Sequence, residues 1–209
     1  MTIDRIKQKL NEIKCKSLPL PPECNSLQFN SVISEADVYF FENKYKFTLP
    51  SDMKMFITTI GNGGPGPGFG LKPLNDESFY HPWFLAENGN EFDLSMQFPY
   101  TDEWNFEQLR VAMENNYENK DELMKYYFSI DRTPGCFQVC DWGNGGVALL
   151  VVNGDEYGKL WVDYRYTFGG VVPEILSDNL VEHMSFCQWY EAWLDEIIMK
   201  VPLNQRKFR

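Results

Sequence analysis

The sequence predicts an α+β protein, in which helices pack against an antiparallel β-meander formed late in the chain. Three observations carry this. Helical periodicity dominates the first 60 residues, three apolar runs joined by short Gly/Asn/Asp-rich turns lie between 135 and 164, and a helix with a wide aromatic stripe closes the chain. A chain of 209 residues is expected to form one domain, 1–209, with a substantial core. Apolar content of 44% and aromatic content of 16% suit a packed globule rather than a disordered chain.

Each element follows in order. Residues 1–16 place Ile3, Ile6, Leu10 and Ile13 on one helical face, and Leu18-Pro19-Leu20-Pro21-Pro22 ends that helix in an extended connector. A second helix opens at Ser34, an N-cap with Asp37 three residues on, and turns Val38, Phe41 and Tyr45 inward. The third covers Leu49–Ile60. Pro50 suits its first turn, where a missing N–H is not needed; Phe56, Ile57 and Ile60 share a face, and Gly61 is the expected left-handed stop. Residues 61–70 hold six glycines and two prolines and lead into Gly68-Phe69-Gly70-Leu71, read as extended.

Beyond that run the pattern weakens. Trp83-Phe84-Leu85, Phe92 and Phe98-Pro99-Tyr100 read as short strands or packed loops, and Asn105–Tyr127 as partly helical. Gly135–Cys140 and Val147–Val152 read as strands flanking the turn Asp141–Gly146, and the turn Asn153–Gly158 leads into a strand over Lys159–Tyr164. In the closing helix Ser185 and Gln188 form a capping box, and Met184 and Trp189 are placed for a hydrophobic staple. Phe186, Trp189, Tyr190, Trp193, Leu194, Ile197 and Ile198 follow helical spacing, which reads as core.

Gly61-Asn62-Gly63-Gly64-Pro65-Gly66 matches the glycine spacing of a dinucleotide-binding loop. That loop works when a strand delivers it and a helix N-terminus follows, aiming free N–H groups at a pyrophosphate. Here a helix precedes, none follows, and Pro65 and Pro67 delete two donors. The run is therefore read as a structural turn and no cofactor is expected. Of the two histidines, His81 beside Pro82 reads as a loop residue rather than a catalytic one, and no nucleophile-elbow motif accompanies it. Cys136 and Cys140, four apart in a strand, are expected on one side as buried thiols; matching soft ligands are missing, so no metal site is expected. The adjacent pairs Asp102/Glu103, Asp155/Glu156 and Asp195/Glu196 read as surface charge. The five scattered cysteines imply reduced thiols, and with no apolar signal core or 18-residue apolar run the chain is expected in the cytoplasm and off the membrane.

The formal net charge of −11 is unevenly spread. Residues 75–123 hold twelve acids against Arg110 and Lys120, while 1–74 hold nine bases against seven acids. Nucleic acid is an unsuitable partner for such a surface, which has no basic footprint. A basic protein is a suitable one, because a concentrated negative field speeds and selects association.

Three segments together resemble the SUKH superfamily, which includes the yeast cell-wall assembly regulator and bacterial toxin-immunity proteins. They are Ile33-Ser34-Glu35-Ala36-Asp37 through Phe41-Glu42 to Leu49-Pro50, Gly61-Asn62-Gly63-Gly64 and Gly70-Leu71; then Cys140-Asp141-Trp142-Gly143-Asn144-Gly145-Gly146 with Gly158-Lys159-Leu160-Trp161; then Ser185-Phe186 with Trp189-Tyr190 and Trp193-Leu194. The likeness spans about 30–200 and leaves 1–29 as an N-terminal extension. The resemblance implies a binding protein without catalytic residues, one that neutralises a cognate toxin, often a nuclease, by direct contact.

Two functions follow as expectations. The first is an immunity protein, monomeric or weakly dimeric, whose acidic middle segment covers the basic face of a toxin. Its expected contact residues are Asp76, Glu77, Glu87, Glu91, Asp93, Asp102 and Glu103, with Trp83 and Trp104 as aromatic anchors. The alternative is a scaffold or regulatory module related to the yeast regulator. An enzyme would instead require a cleft that gathers His81 or a cysteine with carboxylates, beside an apolar pocket of ligand size.

Overall fold

The computed structural model describes residues 2–24, 26–84, 89–115, 118, 120–176 and 182–199. Among them, α1 (Thr2–Lys16), α2 (Glu35–Tyr45) and α3 (Ser51–Thr59) come first, and α4 (Glu107–Glu114) and α5 (Lys120–Tyr127) follow a long loop region. The strands β1 (Cys136–Gly143), β2 (Gly146–Val151), β3 (Leu160–Asp163) and β4 (Val171–Pro173) then precede α6 (Phe186–Met199). The strands form one sheet in the order β1-β2-β3-β4, each pair antiparallel. This is the expected α+β class with its late meander.

The meander has a fourth strand that the sequence reading did not include. Val171-Val172-Pro173 is short and contains proline, which suits only an edge position, and β4 is an edge of this sheet. The first hairpin is also tighter than expected. Gly143 pairs Gly146, and Asn144 (φ 50°) and Gly145 (φ 80°) form a two-residue left-handed turn, so Asp141 and Trp142 belong to β1. A bulge between Gln138 and Cys140 overturns one further expectation. Cys136 lies opposite Val151 and Cys140 opposite Ala148; those partners are an odd number of residues apart, so the two thiols face opposite sides of the sheet.

Helix starts follow their caps. The Ser34 side chain accepts from the Asp37 N–H, and the Ser185 N–H donates to Gln188 Oε1 at 2.8 Å while Gln188 N–H returns a bond to Ser185 Oγ. Pro50 is the N-cap of α3 rather than a residue of its first turn. Gly61 does not take the left-handed conformation expected of it. The positive φ values fall at Gly63 and Gly64, and Gly61 is needed because a Cβ there would sit 2.5 Å from Phe29 Cβ. Nor is 68–71 extended. Gly64 and Leu71 exchange both backbone bonds, closing the intervening residues into a loop. That loop is fastened inward: the Tyr190 hydroxyl donates to the Pro65 carbonyl at 2.9 Å, and Phe69 N–H donates to the Asp141 carbonyl at 2.9 Å.

The core lies between the sheet and α3 and α6. Every residue of β2 and β3 is buried, and Phe56 of α3 meets Phe186 and Tyr190 of α6 edge-on at 5.2 and 4.8 Å. The N-terminal helix is part of this assembly. It buries Ile3, Ile6 and Ile13, and Lys9 bridges Glu191 and Asp195 of α6 at 2.8 and 2.7 Å. Among the described residues no helix is long and apolar enough to cross a membrane.

Candidate interaction surface

Beneath the surface that carries the middle segment lies a buried charge network. Asp163 ends β3, and Arg165 opens the following 3-10 turn. Both are fully buried, and Arg165 reaches Asp163 through Nε at 3.0 Å and Nη2 at 2.6 Å. Its Nη1 donates to the Tyr127 and Ser129 carbonyls at 2.8 and 2.7 Å, and Nη2 also donates to Thr133 Oγ1 at 3.1 Å. All five guanidinium donors are thereby used. His81 completes the network and is also buried. Trp83 and Phe84 N–H both donate to its Nδ1 at 3.2 Å, so its proton sits on Nε2, 3.3 Å from Asp163 Oδ2.

Electrostatics agree with that assignment. Burial pushes the Asp163 carboxyl upward, but the Arg165 charge and the bonds from His81 and Arg165 outweigh it and hold the group down to about 2. Burial lowers the His81 value more than Asp163 raises it, which keeps the imidazole neutral. By its place beside Pro82, His81 reads as an ordinary loop histidine. Here it ties the loop to β3.

The other histidine and its neighbours correct a second reading. His183 Nδ1 lies 2.5 Å from Glu156 Oε2, and the Trp161 indole N–H donates to the same oxygen at 3.2 Å. Glu156 is therefore a partly buried anchor between β3 and the segment before α6, not simple surface charge. Asp195, likewise, is held by Lys9.

The expected contact residues divide into groups. Asp76 and Glu77 lie in a 3-10 turn, Asp76–Phe79, whose Phe79 packs on Phe137 of β1 at 5.4 Å. Asp76 is engaged with Lys44 and the Tyr45 hydroxyl at 2.6 Å each. Glu91 is carried opposite Tyr80, since Phe79–His81 and Asn90–Phe92 pair through their backbones. Asp93 holds the Ser95 N–H at 3.0 Å. Asp102 and Glu103 lie beside Trp104, whose backbone pairs Val171 of β4. The first and last groups thus attach to opposite edges of a four-stranded sheet, roughly 14 Å apart across three strand spacings. Glu77, Glu91, Asp102 and Glu103 are exposed and form no ion pair among the described residues. Glu87 lies outside the described residues.

The two tryptophans behave differently. Trp104 is half-buried, stacked on Tyr100 at 5.0 Å and on Tyr127 at 5.6 Å, and so it packs the interior more than it presents a surface. Trp83 is exposed and lies 5.3 Å from the ring of Tyr166. Beside Trp83 in the chain, Phe84 meets Phe128 at 5.4 Å and Phe128 meets Phe168 at 5.4 Å; Tyr127 then links Phe168 to Phe106, which meets Tyr126 at 5.0 Å. Composition and spacing gave no sign of this face, because its rings come from four separated segments.

Two grooves lie elsewhere. One of about 440 Å³ is open and polar, lined by Glu42, Lys46, Thr48, Asn153 and Tyr157 among others. Another, of about 490 Å³, is lined by Ile13, Leu18, Leu20 and Leu27 with polar neighbours. Neither contains His81 or a cysteine. Among the described residues no three metal-binding side chains gather. All five cysteines are free, and Cys136, Cys140 and Cys187 are buried. Burial raises all three thiols, Cys187 to about 12, which keeps them protonated and unreactive at neutral pH. Compared with family models, curated proteins and solved structures, the chain matches none.

Proposed function

We propose that this chain is a non-enzymatic binding protein of the SUKH kind, which neutralises a basic toxin, a nuclease in the first instance, by covering its substrate-binding face. One observation carries most of the weight: Glu77, Glu91, Asp102 and Glu103 stand exposed without a cationic partner among the described residues. Unneutralised acids on a chain of net charge −11 suit the phosphate-binding surface of a nuclease, which must be positive. The engagement of His81 in an internal network fits the same reading, since it serves there as a fold contact.

A scaffold reading draws on a separate observation. Tyr39 and Phe40 are exposed on α2, outside the acidic segment, as a second apolar surface that a module holding two partners would use.

The test is to look for a toxin domain encoded next to this chain and to measure whether this protein inhibits it. Stoichiometric loss of nuclease activity is expected, with association slowing about tenfold or more between low and high salt. Reversing Glu77, Glu91, Asp102 and Glu103 to lysine is expected to slow association about tenfold and flatten the salt dependence. A toxin left fully active at saturating protein overturns the proposal.

A further inference from the structure

We infer that the aromatic face formed by Trp83, Tyr166, Phe168 and Tyr126 is a docking surface for an arginine-bearing segment of a partner protein. This rests on the reading of the chain as a binder of basic proteins, and it places the contact on side chains that the acidic residues only border.

The four residues are 48, 55, 43 and 45% exposed respectively, and Trp83 meets Tyr166 at 5.3 Å, a large aromatic area to leave in water. They are linked through packed rings beneath, Phe84 to Phe128 to Phe168 on one side and Phe106 to Tyr126 on the other. The surface is also rigid. Asn105 holds the Phe168 carbonyl at 3.0 Å, the Tyr127 hydroxyl donates to Asn105 at 2.9 Å, and Gly170 N–H donates to that hydroxyl at 3.1 Å. Arg165 clamps the Tyr127 and Ser129 carbonyls from below. Little ordering remains to be done on binding, which is how exposed aromatic residues become strong contacts.

Charge and ring chemistry select the occupant. Asp102 and Glu103 are exposed and precede Trp104 in the chain, and Asp131 is exposed beside Arg132; the exposed Lys125 precedes Tyr126. One ring of the face already holds a guanidinium of this chain: Arg132 lies over the Tyr126 ring at 4.2 Å. The Arg165 guanidinium over the buried Phe84 ring, at 4.6 Å, is the interior counterpart of that contact. Flat guanidinium groups stack on such rings while their donors turn to carboxylates at the rim; a lysine ammonium has no plane to stack. The second exposed apolar surface, Tyr39 and Phe40 on α2, has Glu35 and Asp37 one turn before it and Lys44 and Lys46 after it, so its border is of mixed charge.

The full chain is titrated with a nona-arginine peptide and a nona-lysine peptide, followed by tryptophan fluorescence and by backbone and aromatic NMR shifts. Tighter binding of the arginine peptide is expected, by about threefold or more, with shifts centred on the four rings. The double variant Trp83→Ala/Tyr166→Ala is expected to weaken that binding about tenfold, while Tyr39→Ala/Phe40→Ala changes it less than twofold. Tyr166→Lys, a substitution at one exposed side chain, repeats the test with less demand on folding and is expected to weaken it similarly. Equal affinity for both peptides, shifts centred elsewhere, or equal losses in both double variants overturn the inference. Toxin inhibition separates this failure from that of the broader reading. If Trp83→Ala/Tyr166→Ala still inhibits fully while the charge-reversed variant does not, the docking face is wrong and the binder reading stands. If the unmodified protein inhibits no toxin yet the arginine peptide maps to these rings, the opposite holds.

Discussion

Arg165 is the residue on which this region depends most. Its five donors serve one carboxylate, two carbonyls and one hydroxyl, all out of water. Removing one partner of a buried ion pair leaves the other charged and unsolvated, so Arg165→Met is expected to cost about 3–5 kcal/mol. Urea unfolding checks this, and a loss below about 1 kcal/mol would mean that the network contributes little. His81 supplies a pH dependence. It faces Asp163 and Arg165, with Lys72 more distant, and its folded value lies below the ordinary one. Below about pH 6.5 the unfolded chain takes up a proton that the folded chain resists, so stability falls as pH drops from there toward the folded value. His81→Gln is expected to flatten that part of the stability profile, measured by urea unfolding from pH 7.5 to 5. An unchanged slope would assign it to other groups. Asp163 acts in a lower window: its contribution is complete above about pH 3.9 and is lost as pH falls toward about 2.

Among the elements, the glycine-rich run is a turn fastened to β1 and α6. Gly68 shows why the residue type matters: its φ is +56°, and a Cβ would collide with the Asp141 carbonyl oxygen. Gly68→Ala is expected to cost about 2 kcal/mol or more from strain and displacement together, visible as a lowered thermal midpoint. A midpoint unchanged within error would show that the loop relaxes freely. At the start of α2, Ser34→Ala removes a cap that holds one backbone N–H, and a loss of about 1 kcal/mol is expected in chemical unfolding. The N-terminal helix was legible as a helix from its isoleucine spacing. Its role as a cover for α6 was not, because Lys9 and its partners Glu191 and Asp195 are far apart in the chain.

On the scale of the whole molecule, the acidic segment is divided. Asp76 and Glu77 sit at the β1 side and Asp102 and Glu103 at the β4 edge, so a partner that touches both must span the sheet. That width suits a protein surface better than a small ligand. It also implies that reversing Glu77 and Glu91 alone, or Asp102 and Glu103 alone, lowers the association rate by only part of the fourfold variant's effect, checked by stopped-flow mixing at low salt. Full loss from one pair would locate the contact at one edge of the sheet.

Much of the fold was legible because local chemistry sets it. Periodicity placed α1, α2, α3 and α6, caps located the starts of α2 and α6, and β-rich runs with left-handed turns marked the meander. The charge imbalance of residues 75–123 was equally a property of sequence alone. What only tertiary structure decided depends on long-range closure. The bulge that turns Cys136 and Cys140 to opposite faces follows from register with β2, and β4 exists because β3 offers it an edge. The His81–Asp163–Arg165 network joins residues 82 positions apart, and the aromatic face takes its rings from four segments. No periodicity records such meetings, since they arise when apolar segments collapse together and their buried polar groups must find partners.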